Sequence, residues 1–279
     1  MGALDYFMLT FLSFLAGFVG ALTGLGGGSI MIPLLTMLGV PIKNAIAAGM
    51  ITVIATSSGS AASYVEKELT NVKVAMYLEM FTVTGAIIGA IITSFIAPKL
   101  LFFFFAFFLI SSLTGLRKNM NVEIPEISKQ DKISKWLKLE GEYYDEALKQ
   151  KVQYKVTNAI PGGLGMLIAG LAAGMLGIGA GAFKVSVQEL ILKLPSKVSS
   201  TTSNFIIGMT ALAGTTVYLS TGLICINLAA PMAIGTTFGA LIGSHILNKL
   251  KNVTIRYFFL IIVTYLIIQM LYKGVVTPW

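Results

Sequence analysis

The sequence predicts an all-α polytopic membrane protein made of two internal repeats, inverted relative to each other. Each repeat is expected to hold four long transmembrane helices and one short glycine-broken helix. Three observations lead there. The 279 residues are 56% hydrophobic and only 11% charged, with a mean hydropathy of +0.83, whereas a soluble domain carries roughly a quarter charged residues. The charges are also concentrated: residues 117–158 hold nine Lys/Arg and seven Asp/Glu, half of the chain's 32 charges. Finally, a glycine-led stretch near the start returns in the second half of the chain in the same hydrophobic context.

This composition excludes a cytosolic enzyme, a secreted disulfide scaffold and a disordered chain. Cys225 is the single cysteine and His245 the single histidine, too few for a disulfide or a Cys/His zinc site. No cofactor is expected. The net charge of +8 is read as a signal of membrane orientation, and nucleic acid is not an expected partner. Met1–Phe7 carries Asp5 and no base. It lacks the basic start of a cleaved signal peptide, so the first apolar stretch is expected to stay as a transmembrane helix.

Four apolar segments, near 4–24, 44–65, 74–96 and 99–116, precede the charged region, and four follow it, near 159–177, 198–220, 228–247 and 255–272. Each approaches the roughly 20 residues that cross about 30 Å of hydrocarbon. Shorter apolar pieces lie at 28–39 and 182–193. The organisation is therefore a first transmembrane repeat over 1–116, a connecting loop over 117–158 and a second repeat over 159–279. GALTGLGGGSIMIPLL from Gly20 aligns with AGMLGIGAGAFKVSVQ from Ala173, 153 positions on. After a one-residue shift, Pro41-Ile42-Lys43 matches Pro195-Ser196-Lys197, and Gly85–Gly89 matches Gly239–Gly243. Within the loop, Glu140–Asp145 and Lys151–Val156 read as a short strand pair. Ser134–Leu139 reads as an amphipathic turn carrying Trp136 to the interface.

Glycines four apart recur at Gly20/Gly24, Gly85/Gly89, Gly170/Gly174 and Gly235/Gly239/Gly243. That spacing lets helix backbones approach closely in lipid. Gly24–Gly28 and Gly177–Gly181 are different. Several glycines at the end of an apolar run break the helix, at about 1 kcal/mol each, and the short segment after each break restarts one. Irregular backbone at that depth is tolerated where it lines a cavity, and paired broken helices in repeat halves mark transporter sites. Helix N-termini there favour an anion.

The candidate substrate-binding residues are Gly26, Gly27, Gly28 and Ser29 in the first motif, Gly179, Gly181 and Lys184 in the second, and Thr202, Ser203 and Asn204 in the hydroxyl-rich run that follows. Thr52, Thr56, Ser57 and Ser58 could add hydroxyls from the first half. Glu79 and Glu189 fall inside apolar runs, where a charge costs about 2.5–3.5 kcal/mol or more, and are the candidate proton carriers. Neither glycine motif holds a carboxylate, which favours an anion as cargo. A cation or other small-solute transporter and a membrane scaffold without transport are the alternatives. An intramembrane serine hydrolase would need His245 to meet Ser58 or Ser203 with no acid partner in view, so no enzyme activity is expected.

Gly20-x₃-Gly24-x-Gly26-Gly27-Gly28-x₄-Pro33, its degenerate second copy from Gly170 to Lys184, and Tyr143-Tyr144-Asp145 ahead of that copy resemble the TauE/SafE family. The resemblance covers essentially the whole chain. It implies a multi-pass permease of the cell membrane that exports small anions such as sulfite, sulfonates or related organosulfur compounds, driven by a proton or other ion gradient. Its partners would be the small anion and the lipid bilayer, with oligomers possible. The chain departs from the family pattern at Ala180, where glycine is usual, and at Ser186, where proline is usual. A less sharply broken second helix is therefore expected.

Lysine and arginine counting chooses a topology. If the short segments turn back, the bases near the membrane split seven against seven and specify no orientation. If they cross, eleven (Lys67, Lys73, Arg117, Lys118, Lys151, Lys155, Lys193, Lys197, Lys249, Lys251 and Arg256) oppose three (Lys43, Lys99 and Lys273). The positive-inside rule then predicts inverted five-helix halves, a cytoplasmic loop and both termini outside.

Overall fold

The computed structural model describes residues 3–23, 26–66, 69–118, 130–145, 149–247 and 252–277. Gly24, Lys67, Lys249 and Lys251, which enter the readings above, lie outside the described residues. The helices are α1 (Ala3–Thr23), α2 (Gly28–Met37), α3 (Ile42–Glu66), α4 (Val72–Phe95) and α5 (Pro98–Lys118), followed after the connecting loop by α7 (Ala159–Leu176), α8 (Gly181–Leu190), α9 (Ser196–Ser220), α10 (Ile226–Leu247) and α11 (Asn252–Val276). The loop contributes α6 (Lys132–Trp136) and strands β1 (Glu140–Asp145) and β2 (Gln150–Lys155). The protein is an all-α membrane protein, with this small hairpin outside the helical body. Among the described residues, four helices are long and apolar enough to cross a membrane: α3, α4, α7 and, over Ile226–His245, α10. Shorter apolar stretches of α1, α5 and α11 are described over Tyr6–Leu22, Pro98–Ser111 and Thr264–Val276.

The small residues predicted to let helices approach do so. A Cβ on Gly235 would lie 2.2 Å from the Thr10 carbonyl oxygen, on Gly239 2.0 Å from that of Phe14, and on Gly243 2.7 Å from that of Phe18. The residue numbers rise together, so α1 and α10 run parallel. Gly85 and Gly89 sit in the same way against the carbonyls of Leu167 and Leu171, each at 2.2 Å, so α4 and α7 also run parallel. Backbones this close leave no room for a methyl group, and van der Waals contact replaces the hydrophobic drive that lipid removes.

Polar contacts define two ends. At one, Lys43 Nζ donates to the Ser94 carbonyl (2.9 Å), Lys273 Nζ to that of Thr36 (2.9 Å) and Asn44 Nδ2 to that of Leu223 (3.0 Å). These bonds gather the C-terminal ends of α2, α4 and α11 with the start of α3 and the α9–α10 turn. At the other end, Thr201 Oγ1 donates to the Leu69 carbonyl (2.8 Å), Asn71 N to Thr202 Oγ1 (3.2 Å) and Thr157 N to the Leu192 carbonyl (3.3 Å). The end of α3 there meets the starts of α4, α7 and α9 and the end of α8. The two short helices thus leave the interior toward opposite ends, α2 toward Lys43 and α8 toward the hairpin.

The hairpin sits on the second end. Tyr143 pairs with Val152 across the antiparallel strands, and Tyr154 with Gly141. Tyr143, Val152 and Tyr154 are buried against Val74 and Leu78 of α4. Asn71 caps α4, accepting from Val74 N (3.1 Å), and its amide donates to Tyr154 Oη (2.8 Å). Burial pushes the Tyr154 hydroxyl pKa up, and the bond from Asn71 partly offsets this. The helical turn differs from expectation: it begins at Lys132 rather than Ser134. Asp131 caps it, accepting from the amide and hydroxyl of Ser134 and, at 3.5 Å, from Ala159 N. Trp136 is 81% exposed.

Candidate functional site

Each glycine motif ends a long helix and starts a short one. In the second, α7 stops at Leu176 because Gly177 caps it in the left-handed conformation (φ 67°). Gly179 (φ 69°) and Ala180 (φ 50°) continue that geometry before α8 begins at Gly181. The expectation of a softer second break is therefore corrected. Ala180 adopts the glycine-like conformation despite its Cβ, a cost of about 1–2 kcal/mol, held in place by the packing around it. In the first motif Gly26 has φ 77° and α2 begins at Gly28.

The two breaks meet. A Cβ on Gly28 would stand 2.6 Å from the Gly177 carbonyl oxygen, so the two motifs touch backbone to backbone. Val53 of α3 touches Gly26 and Gly179 alike, at 3.2 and 3.1 Å from their Cβ positions, and Ile207 of α9 does the same at 3.6 and 3.4 Å. Val53 and Ile207 stand 154 positions apart in the chain and lie where α3 crosses α9. With α2 and α8 each 10 residues long, or about 15 Å, the breaks fall in the interior rather than at either end.

The polar equipment of the two breaks differs. In the first, Gly27 N donates to Thr56 Oγ1 (2.9 Å), Ser29 N and Oγ both donate to the Gly26 carbonyl, and Ile30 N and Met31 N donate to that of Gly27. The amide expected from Gly27 as an anion ligand is thus already engaged by a hydroxyl of α3. Thr52 and Ser57 are also occupied, on the Gly49 and Asn204 carbonyls (2.7 and 2.6 Å), and Ser58 is exposed.

In the second break Lys184 is fully buried at 0% exposure, and its Nζ donates to Thr210 Oγ1 (2.9 Å). Thr210 follows Thr56 by 154 positions. The same hydroxyl of each half therefore receives a backbone amide in the first and an ammonium in the second. Helical side chains lean toward their own N-terminus, which carries the Lys184 ammonium back to the start of α8. One turn on, Gln188 is also 0% exposed, and neither its Nε2 nor its Oε1 has a hydrogen-bond partner among the described residues. Ser199 Oγ, buried on α9, has none either. Ser203, one turn after Ser199, donates to the Gly181 carbonyl (3.3 Å) and holds α9 against the start of α8. Glu79 of α4 is 8% exposed with Oε1 unpartnered among the described residues, and it lies eight residues after Asn71, as Thr210 lies eight after the Thr202 that Asn71 N meets.

The structure therefore gathers Gly26, Gly27, Gly28, Ser29, Gly179, Gly181, Lys184 and Ser203 around the breaks. It places Thr202 elsewhere, bound by Asn71 N at the hairpin end. Asn204 is buried toward α3, its Oδ1 unpartnered among the described residues, and Glu189 is half-buried in the last turn of α8. Sequence reasoning missed Gln188, Thr210, Val53 and Ile207, and left Ser199 out of the site. The spacing Lys184-x₃-Gln188 on the short helix was the available signal, since both then share one face. A buried polar group without a partner costs about 1–3 kcal/mol, and Gln188, one turn beyond the buried Lys184, carries two such atoms among the described residues.

Interior helix breaks meeting at a buried charge, within a bundle of apolar helices, define a membrane protein of the transporter class. Residues 9–270 match the Sulfite exporter TauE/SafE family, and the chain belongs to it. It is 25% identical over 282 residues to "Probable membrane transporter protein YunE" of Bacillus subtilis (strain 168), covering 98% of this chain and 99% of that protein. It is 25% identical over 252 residues to "Probable membrane transporter protein YdhB" of the same organism, covering 89% and 93%. "Probable membrane transporter protein MJ0441" of Methanocaldococcus jannaschii is 23% identical over 266 residues, with 89% of each chain covered. No solved structure matches the chain.

Proposed function

We propose that this protein exports small anions, with sulfite or a short sulfonate as cargo, across the cell membrane, and that the anion binds where the two breaks meet. The observation that carries the reading is the fully buried Lys184 ammonium in the first turn of α8, with Gln188 one turn on and unpartnered among the described residues. The positive end of α8 and the Lys184 ammonium together suit an oxyanion. The first break supplies shape rather than donors, because its Gly27 amide is held by Thr56.

The architecture we infer is two inverted repeats, 1–116 and 159–279, joined by a cytoplasmic loop over 117–158. Equivalent neighbours support it. Gly17 packs on the Thr236 backbone and Gly170 on that of Thr82, while Gly26 and Gly179 share Val53 and Ile207. The opposite directions of α2 and α8 support the inversion. The cluster of Lys43 and Lys273 at one end, with the hairpin and Lys193 and Lys197 toward the other, is the arrangement the eleven-to-three split requires.

Sulfite efflux from proteoliposomes tests the reading. Wild type is expected to release sulfite, Lys184→Met to lose at least about tenfold in rate, as a desolvated charged contact of about 1.5–3 kcal/mol implies, and Lys43→Met to change little. Equal rates for wild type and Lys184→Met would refute the site.

A further inference from the structure

We propose that Glu79 competes with the cargo anion for Lys184, so that each anion binds together with one proton taken up by the Glu79 carboxyl. This rests on the anion reading above. Lys184 and Glu79 are buried at 0% and 8% exposure. α4 and α9 start together where Asn71 N meets Thr202 Oγ1, so Glu79, eight residues on, stands level with Thr210, which holds the Lys184 ammonium. No direct salt bridge joins the two among the described residues. The interior between α4, α8 and α9 is thus neutral when both are charged. An anion added beside Lys184 would leave one uncompensated negative charge in a low-dielectric interior, which is strongly unfavourable. Protonating Glu79 restores neutrality and frees the ammonium for the cargo.

The surroundings leave few other groups for this exchange. α7, packed along α4, has no titratable side chain. On α9, Lys197 and Tyr218 lie in the first and last turns, and on α3, Lys43 lies at one end and Tyr64 and Glu66 at the other. α8 adds only Lys184 and the half-buried Glu189, and α4 itself carries Lys73 and Tyr77 nearer its start. The hairpin's Tyr143 and Tyr154 share a buried cluster with Val74 and Leu78, the latter adjacent to Glu79 in the chain. Glu79 is therefore the carboxylate positioned to answer a change at Lys184. Its Oε1, without a partner among the described residues, is where the proton would sit.

The test uses methanesulfonate, which stays a monoanion across the accessible pH range, and the full chain in detergent. Calorimetric titration at pH 8 in two buffers of different ionisation enthalpy counts the protons taken up per anion bound. The expected result is about one proton for wild type and about none for Glu79→Gln. Wild-type affinity should also weaken about tenfold per pH unit where the carboxyl is ionised, and Glu79→Gln affinity should stay flat. Binding by wild type without proton uptake overturns this proposal alone. The absence of any methanesulfonate or sulfite binding overturns the anion reading with it. If Glu79→Gln does not fold, the wild-type proton count still decides.

Discussion

Replacing Lys184 by methionine isolates what the buried ammonium contributes to the fold. Methionine keeps nearly the same length and volume, so no large cavity opens. What is lost is one charge-assisted hydrogen bond to Thr210 Oγ1 (2.9 Å), worth about 1.5–3 kcal/mol, and the counter-charge of Glu79, which is 8% exposed. Breaking a buried pair from one side costs about 3–5 kcal/mol, so Lys184→Met should destabilise by that amount. Glu79→Gln leaves the Thr210 bond intact and should cost less. The double variant holds no uncompensated charge. It should be more stable than the sum of the singles allows, by about 1–3 kcal/mol. Equilibrium unfolding in mixed SDS and non-ionic micelles, followed by circular dichroism, measures all four proteins. Additivity within about 0.5 kcal/mol would mean that the two charges do not sense each other, and the electrostatic account of the site would fall.

Other perturbations follow from geometry at single residues. Gly28→Ala drives a methyl group to within 2.6 Å of the Gly177 carbonyl oxygen; it should cost about 1–3 kcal/mol and abolish sulfite efflux, and normal efflux would show that the breaks separate freely. Ala180→Gly relieves the φ of 50° and should raise unfolding stability by about 0.5–1 kcal/mol once glycine's greater unfolded-state entropy is subtracted. Asn71→Ala removes both the α4 cap and the bond to Tyr154, so hydrogen exchange in the hairpin should quicken while the helical body keeps its protection; unchanged exchange would argue against Asn71 as the tie. Asp131 titrates with a sign that can be checked. Burial raises its carboxyl pKa, but the bonds from Ser134 and Ala159 outweigh this and hold it below the usual value. Its contribution is present above the unfolded value of about 3.9 and is lost as pH falls through the lower folded one. The protection factor of the Ser134 amide should therefore fall below about pH 4 in wild type and show no such step in Asp131→Asn.

Much of the fold was legible because membrane helices announce themselves by length and apolarity. The ends of α4, α7 and α9 fall within two residues of the expected segments, and the strand pair within one. The helix breaks were legible for a different reason, since glycine clusters have few other uses at the end of an apolar run. The site was only partly visible. Lys184 could be picked out as a lone base in an apolar segment, but its partner Thr210 lies 26 residues away and only the packing of α8 on α9 joins them. Gln188 looked like any polar residue near a helix end, and its isolation shows only in three dimensions. Thr202 and Ser203 are neighbours in sequence but face different elements, which a helix imposes on adjacent residues.

The interlacing of α1 with α10 and of α4 with α7 sets the order in which the chain can assemble. α4 waits for α7 through about 65 residues of further synthesis, but α1 waits for α10 through about 200. At 5–20 residues per second, the first helix spends roughly ten to forty seconds in the bilayer with its matching surface uncovered. Its partner seam is then closed almost last, by a segment whose glycines at 235, 239 and 243 admit the α1 backbone. A fragment ending before residue 226 would thus hold α1 without its mate, however completely the first half had been made. Such truncations should be cleared by membrane proteases, and the full chain should become protease-resistant only once α10 has left the ribosome and inserted.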